Sequence, residues 1–332
     1  MPSPRLPLEL LYAIISHLGA KEDYASLRAC ASTCRALVPP AQAHIFRSLT
    51  LNKESRTRPW LAKLESTPHI RITPRCCILK HVEEISLREL DPEGQGGVMH
   101  GDNSLPTFLN HFPNLQAITF GGCWVQVERA ASESGITAPV FRLERLYIDS
   151  CYDALVLDWL VPALSSLKIL RLAYCGGQDI FSAAASPRFD SLEHVDVRGL
   201  NEASDAELRS LVAAVKHTVS LRSITTINSR FKFASENSPI IEVVVQFLLL
   251  LGAHRYLQHL AIGFFEEDDL VRRSPWDELQ DLLLGGRFPA LQSVKFVFWS
   301  GSSESNPVTT EPFFAAVPRL VQKKMVSACY YR

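Results

Sequence analysis

The hexapeptide Leu143-Glu144-Arg145-Leu146-Tyr147-Ile148 shows the pattern that decides how this chain folds. Apolar residues occupy its first, fourth and sixth positions. Successive side chains of a β-strand point to opposite faces, so the fourth and sixth residues face one way and Arg145 and Tyr147 face the other. The pattern therefore predicts a short strand with one buried face and one polar face.

The same pattern recurs along the chain at intervals that suit a repeat architecture. Seven further copies begin at Val82, Leu115, Leu167, Leu192, Leu221, Leu257 and Leu291. Together with Leu143, their first positions are separated by 33, 28, 24, 25, 29, 36 and 34 residues. Residues 46–51 resemble a degenerate first copy. A recurring unit of this length cannot bury its own apolar face, so we expect neighbouring units to stack.

The repeats resemble leucine-rich repeats, each of which contributes one short strand to a curved parallel sheet. The resemblance extends to Cys123, Cys151 and Cys175, which occupy the Asn-or-Cys position of the consensus and are expected to be buried, reduced and stacked. Helices are predicted between strands, notably at Leu155–Leu164, Ile240–Leu251 and Trp276–Leu284. The expected fold class is α/β, an irregular solenoid with helices on its convex side. A short helix and a final strand within Phe313–Tyr331 are predicted to cap it.

The segment from Leu6 to Phe46 has a helical period instead. One broad helix face is predicted to carry Leu10, Leu11, Ile14, Ile15 and Leu18. Pro7 suits a first helical position, and Gly19 suits a left-handed helix end. Asp23 is a predicted N-cap for a second helix, which Pro39-Pro40 is expected to break before a third short run. Three short helices are too few to bury a core unaided, so the rest of the chain or another protein must cover them.

This segment resembles an F-box, a three-helix module that docks on the Skp-type adaptor of SCF ubiquitin ligases. The resemblance is carried by Leu6-Pro7-x-Glu9-Leu10-Leu11, Ile14-Ile15, Leu18, Leu27, Cys30 and Cys34-Arg35. The aromatic residue that the family commonly has two positions after the arginine is here Leu37. The resemblance implies adaptor contacts in the opening Leu-Pro and the first helix: Leu6, Pro7, Leu10, Ile14, Ile15 and Leu18.

Composition argues against several other classes of protein. With 34 basic and 35 acidic residues the net charge is −1, which gives no general attraction to nucleic acid or anionic membranes. Ile240–Leu251 is too short to span a bilayer. Cys30 and Cys34 lack further ligands for zinc and are predicted to be small core residues. We therefore expect no catalytic residue, no metal, no cofactor, and neither nucleic acid nor membrane as a partner.

The polar positions of three consecutive strands are the candidate substrate-binding residues. They are Arg145, Tyr147, Asp149, Arg171, His194, Asp196 and Arg198. Arginine and tyrosine are enriched among the residues that anchor protein interfaces. An ordinary solvated sheet face with internal ion pairs would have the same composition, so both interpretations stay open at this point.

Taken with the resemblance, these patterns favour a non-catalytic substrate receptor of an SCF-type ubiquitin ligase. The F-box (1–50) would bind the adaptor and through it a cullin, a linker (51–78) would follow, and the repeat domain with its cap (79–332) would hold an unknown protein substrate. An adaptor-bound F-box scaffold of a non-ubiquitin complex is the alternative. The charged residues Arg5 and Glu9 are wrong for a secretory signal, so we expect a cytoplasmic or nuclear protein with reduced cysteines.

Overall fold

A computed structural model describes residues 7–52, 79–88, 104–122, 138–149, 158–173, 189–198, 209–227 (apart from 210, 214 and 217), 240–265, 275–299 and 311–331. In these ranges ten strands form one sheet, and each strand pairs in parallel with the next one along the chain. Such a sheet needs a crossover between every pair of strands. The arrangement is consistent with a solenoid-like α/β fold.

The strands follow the repeated hexapeptides. They are β1 (Ser48–Asn52), β2 (Glu84–Arg88), β3 (Ala117–Gly121), β4 (Arg145–Asp149), β5 (Ile169–Ala173), β6 (His194–Arg198), β7 (Ser223–Ile227), β8 (His259–Phe265), β9 (Ser293–Trp299) and β10 (Val326–Tyr331). The predicted strand positions, their parallel pairing and their chain order are confirmed. The degenerate copy at 46–51 is β1, so the predicted domain boundary at residue 50 falls inside a strand.

Helices precede the sheet and lie between its strands. They are α1 (Leu8–Ala20), α2 (Tyr24–Thr33), α3 (Val38–Ile45), α4 (Ser104–Leu109), α5 (Ile240–Leu251), α6 (Trp276–Leu284), α7 (Glu311–Ala316) and α8 (Pro318–Gln322). The predictions for α5 and α6, and for helix and strand in the C-terminal segment, are confirmed. Asp158–Ser166 is a 3-10 helix with Pro162 inside it. Among the described residues, no helix is long and apolar enough to cross a membrane.

One continuous apolar core lies on one face of the sheet. The inward residues of each strand, such as Leu146 and Ile148, are buried in the same cluster as helix residues such as Leu164 and Val244. Phenylalanines that precede several strands complete the cluster: Phe112, Phe141, Phe189 and Phe288. Because strand and helix residues share one core, the helices cover the apolar face and leave the other face of the sheet polar.

A repeated backbone hydrogen bond sets the register of the sheet. The carbonyl oxygen just before a strand accepts the N–H groups of two consecutive residues in the next repeat. In one example, Gln116 accepts from Glu144 and Arg145, at 2.8 and 3.0 Å. The same pair of bonds is made by the carbonyls of Arg47, Glu83, Glu144, Lys168, Glu193, Arg222 and Gln258. Each strand therefore starts level with the one before it.

The first three helices form a small unit with a core of its own. Ile15, Leu27 and Leu37 are buried together. Partly buried side chains pack around them: Leu11, Leu18, Cys30 and Ile45. Leu37, at the start of α3, contributes its aliphatic side chain to this core. Only two residues separate α3 from β1, so the unit leads directly into the sheet.

Of the helix ends predicted from the sequence, the Asp23 cap is confirmed and the Gly19 end is wrong. The carboxylate of Asp23 caps α2 by accepting a bond from the Ser26 backbone N–H at 3.1 Å, as predicted, and hydrogen bonding to Ser26 lowers the pKa of Asp23. Gly19 does not end α1 in a left-handed conformation, since α1 continues to Ala20 and the residue with positive φ is Glu22. A Cβ atom on Gly19 would lie 2.2 Å from the His44 ring, so its role is close packing of α1 on α3.

Two further expectations about this unit are wrong. Pro39-Pro40 does not separate helices: both prolines lie in the first turn of α3, where a backbone N–H has no helical acceptor. Cys34 is exposed, because α2 ends at Thr33 and the next residue adopts an extended conformation that takes its side chain off the helix face.

His254 is a buried titratable residue between two repeats, with 4% of its surface exposed. Its Nε2 lies 2.9 Å from the carbonyl oxygen of Thr218, which can only accept, so Nε2 carries the proton. The other ring nitrogen, Nδ1, is buried and has no partner among the described residues. Burial lowers the pKa of His254, because a second proton would place a charge in this apolar site.

We predict that His254 makes the fold sensitive to acid. A lowered native pKa means that the unfolded chain binds this proton first, so the stability present above the unfolded pKa of about 6.5 is lost as the pH falls below it. Thermal unfolding from pH 7.5 to 5.5 should show a larger decrease in Tm for the wild type than for His254→Gln, whose amide can still donate to Thr218. Equal decreases in both proteins would contradict the prediction.

Candidate functional site

Helix α1 has more apolar surface than its small core covers. The buried side of α1 carries Leu11, Ile15 and Leu18. Leu10 and Ile14, one turn apart on one flank of that stripe, are 54% and 46% exposed. Leu8 and Tyr12 are exposed on the other flank. We call the exposed side chains Leu8, Leu10, Tyr12 and Ile14 the α1 apolar surface. Apolar side chains are thus exposed on both flanks of α1, and exposed apolar surface of this kind favours binding of a partner.

The residues proposed for adaptor contact differ in their exposure to solvent. Pro7, Leu10 and Ile14 are exposed and available to a partner. Ile15 is 1% exposed and packs against Leu27, so it stabilises the helices and is not available as a contact in this conformation. Leu18 is partly buried against the same core. Leu6 lies outside the described residues. Leu8 and Tyr12, which the sequence did not single out, complete the exposed surface.

The polar face of the sheet brings four of the candidate substrate-binding residues together. Tyr147, Arg171 and Asp196 stand in register on β4, β5 and β6. The Arg171 guanidinium lies over the Tyr147 ring, 5.1 Å from its centre, and its Nε donates to Oδ2 of Asp196 at 2.8 Å. Arg198 donates to the same oxygen at 3.3 Å. These residues, Tyr147, Arg171, Asp196 and Arg198, are called the β4–β6 polar cluster below.

Arg145 belongs to a neighbouring group on the same face. Its guanidinium pairs with Glu84 of β2, across β3. Ala117 stands between them in the register, and its small side chain leaves room for the pair to meet above it. Glu84 was not singled out from the sequence. The sequence did contain an indication of this pair. Glu84 and Arg145 have opposite charges at equivalent positions two repeats apart, and Ala117 occupies that position in the repeat between them.

A hollow of about 180 Å³ opens on the polar face beside this pair. Its floor is made by small side chains, among them Ser86, Ala117 and Thr119, and its rim by Glu84, Arg145 and Tyr147. The volume is that of a single large side chain. Tyr147 therefore serves two features at once, as a wall of the hollow and as the platform under Arg171.

The remaining candidates stand apart from the cluster. His194 is exposed at the start of β6, and Ile169 separates it from Arg145 in the register. Asp149 is exposed at the end of β4, with Gly121 and Ala173 as its register neighbours. Cys123, Cys151 and Cys175 lie outside the described residues. In the described ranges, no three His, Cys, Asp or Glu side chains are grouped to hold a metal ion.

The ion pairs expected of an ordinary solvated face are present, and substrate binding on this face stays a prediction. The pair with Asp196 also holds Arg171 in one orientation over the Tyr147 ring, which itself lines the hollow. Comparison with known proteins adds nothing to this geometry, since no protein-family model matches the sequence and no curated protein is measurably similar to it.

We predict that the carboxylate of Asp196 stabilises the folded protein by holding the β4–β6 polar cluster together. Its side chain is 15% exposed and accepts from two arginines. Asp196→Asn should lower the free energy of unfolding by about 1–3 kcal/mol, the usual cost of losing hydrogen bonds to a charged acceptor. Urea denaturation followed by circular dichroism measures this change.

Glu144→Gln is the matched control for the Asp196 variant. Glu144 accepts from Lys168 at 2.8 Å, the same distance as the Arg171–Asp196 bond, but both partners are exposed. Exposed pairs contribute little because water and salt screen them, so this variant should unfold like the wild type. Equal effects of the two substitutions would show that Asp196 has no special role.

Proposed function

We propose that this chain is the substrate-recognition subunit of an SCF-type E3 ubiquitin ligase, with α1 to α3 acting as an F-box and the sheet acting as a leucine-rich-repeat receptor. In this proposal the chain catalyses nothing itself. It binds the Skp-type adaptor, and through it a cullin, and holds a target protein close to the ubiquitin-charged enzyme. Proximity of this kind accelerates a reaction by making it effectively intramolecular. The expected compartment is the cytoplasm, the nucleus or both.

The α1 apolar surface is the observation that carries the proposal. Within the described part of the chain, five of the ten exposed large apolar side chains belong to α1 and α2: Leu8, Leu10, Tyr12, Ile14 and Tyr24. The core beneath them has just three large side chains that are fully buried among the described residues, Ile15, Leu27 and Leu37. A unit this small with so much exposed apolar surface favours a partner, and the F-box resemblance names one that binds at this helix.

The α1 apolar surface can supply a substantial part of the free energy of docking. Fully burying a large aliphatic side chain contributes about 1.5–3 kcal/mol. Because its four side chains are already about half buried, the surface offers about 3–6 kcal/mol, while association costs about 4–15 kcal/mol in lost translational and rotational freedom. Contacts from Pro7 and from the adaptor-facing polar groups would add to the total. Adaptor binding therefore needs all of these side chains, and removing two of them should clearly lower the affinity.

We predict that Leu10→Ala combined with Ile14→Ala weakens adaptor binding by about ten- to hundredfold. Burying the exposed half of each of the two side chains contributes about 1.5–3 kcal/mol in total, and 1.4 kcal/mol corresponds to a factor of ten. Alanine is the best helix former, so α1 itself should persist. Isothermal titration calorimetry with a purified Skp-type adaptor gives the dissociation constants.

Val219→Ala serves as the control for surface hydrophobicity. Val219 is 63% exposed but lies next to β7, away from the first three helices. This variant should bind the adaptor like the wild type. Unchanged binding by the α1 double variant, or no binding by the wild-type chain, would contradict the proposed function.

A further inference from the structure

Arg171 is held ready to bind a ligand. Its guanidinium is fixed from one side by the Tyr147 ring and at Nε by Asp196. In the part of the chain that the structure describes, no group accepts a hydrogen bond from its two terminal nitrogens, and 43% of the side chain is exposed. A guanidinium oriented in advance loses less conformational freedom when it forms the paired N–H···O bonds that an oxyanion accepts.

The charge around Arg171 favours an anionic ligand. The outward residues of β2 to β6 include four arginines, Arg88, Arg145, Arg171 and Arg198. Three carboxylates face the same way, Glu84, Asp149 and Asp196. Asp196 is shared by two arginines and Glu84 is paired with Arg145, so the outward residues of these described strands carry one more positive than negative charge.

The hollow beside Tyr147 indicates that the ligand is a polypeptide. The hollow is centred two to three strands away from β5, which is roughly 10–14 Å at the usual strand spacing. An extended chain covers that distance in about three to four residues. A segment crossing the strands could thus place one side chain in the hollow while a second side chain reaches Arg171.

We propose that the polar face of β2 to β6 binds an acidic segment of a partner protein, in which an Asp or Glu carboxylate is bound by Arg171 and a side chain three or four residues away fills the hollow. This inference deepens the proposed function, on which it rests for the identity of the partner as a substrate. Carboxylate is favoured over phosphate because one guanidinium edge and one unbalanced charge match a monoanion. A phosphate dianion would require at least a second free arginine.

Selection from a random peptide library tests the inference. Random dodecapeptides displayed on phage are selected on the immobilised full chain, and peptides that bind the support without the chain are removed. We expect enrichment of Asp or Glu at one position, with a fixed preference three or four residues away. Fluorescence anisotropy on a synthetic member should then show about ten- to hundredfold weaker binding by Arg171→Gln.

Three controls separate this interaction from general charge attraction. Lys295→Gln removes a positive charge from the same register row of the sheet, four strands away on β9, and should bind like the wild type. Arg171→Lys keeps the charge but loses the paired geometry, and should bind more weakly than the wild type. The peptide with its acidic residue changed to the amide should lose affinity to the same extent as Arg171→Gln loses it.

Several results would overturn the inference. They are enrichment of no peptide, enrichment of peptides without a fixed acidic residue, and equal losses in Arg171→Gln and Lys295→Gln. A further test is a peptide with phosphoserine in place of the acidic residue. If this peptide bound more than tenfold tighter, the ligand group would be a phosphate and the proposed carboxylate would be wrong. None of these measurements uses the adaptor, so they can fail while docking through α1 succeeds, and the reverse also holds.

Discussion

The paired backbone hydrogen bond at the start of each strand is the constraint on which the rest of this protein depends. One carbonyl oxygen accepts two consecutive N–H groups from the next repeat, and this occurs at eight successive junctions from Arg47 to Gln258. A shift of one residue at any junction would turn the apolar side chains to the polar face. The shared register therefore creates both the continuous core and the ordered rows of outward side chains.

The β4–β6 polar cluster is a direct consequence of that register. Tyr147, Arg171 and Asp196 are separated by 24 and 25 residues in the sequence, yet the equal starts of their strands place them side by side. The connecting segments vary in length from repeat to repeat without disturbing this row, because only the strand starts are tied together. A sheet built in this way can change the side chains of its polar face by single substitutions while its core stays the same.

The N-terminal helices follow a different physical logic. Their core consists of three buried side chains, whereas the sheet core extends through every repeat. Close packing of α1 on α3, which depends on Gly19 beside His44, uses the little buried volume that is available. Such a unit gains much of its stability from what lies against it, and the exposed flanks of α1 leave room for a partner.

What the sequence determined by itself is the local pattern. Alternation over six residues specified where the strands lie, and recurrence of that pattern specified their number and order, because each strand carries its own two-residue period and cannot bury its apolar side alone. The helical period and the Asp23 cap likewise identified α1 and α2. For the sheet face, the same alternation correctly named the outward residues.

Only the tertiary structure decided which of those residues meet. The Glu84–Arg145 pair spans 61 positions and forms because Ala117 leaves space between the two side chains. The contrast between exposed Ile14 and buried Ile15 depends on how α2 and α3 pack against α1, not on their shared apolar character. His194 shows the same limit, since its strand neighbour is Ile169 and not a charged residue. Long-range side-chain contact depends on register and packing, which local sequence periods do not encode.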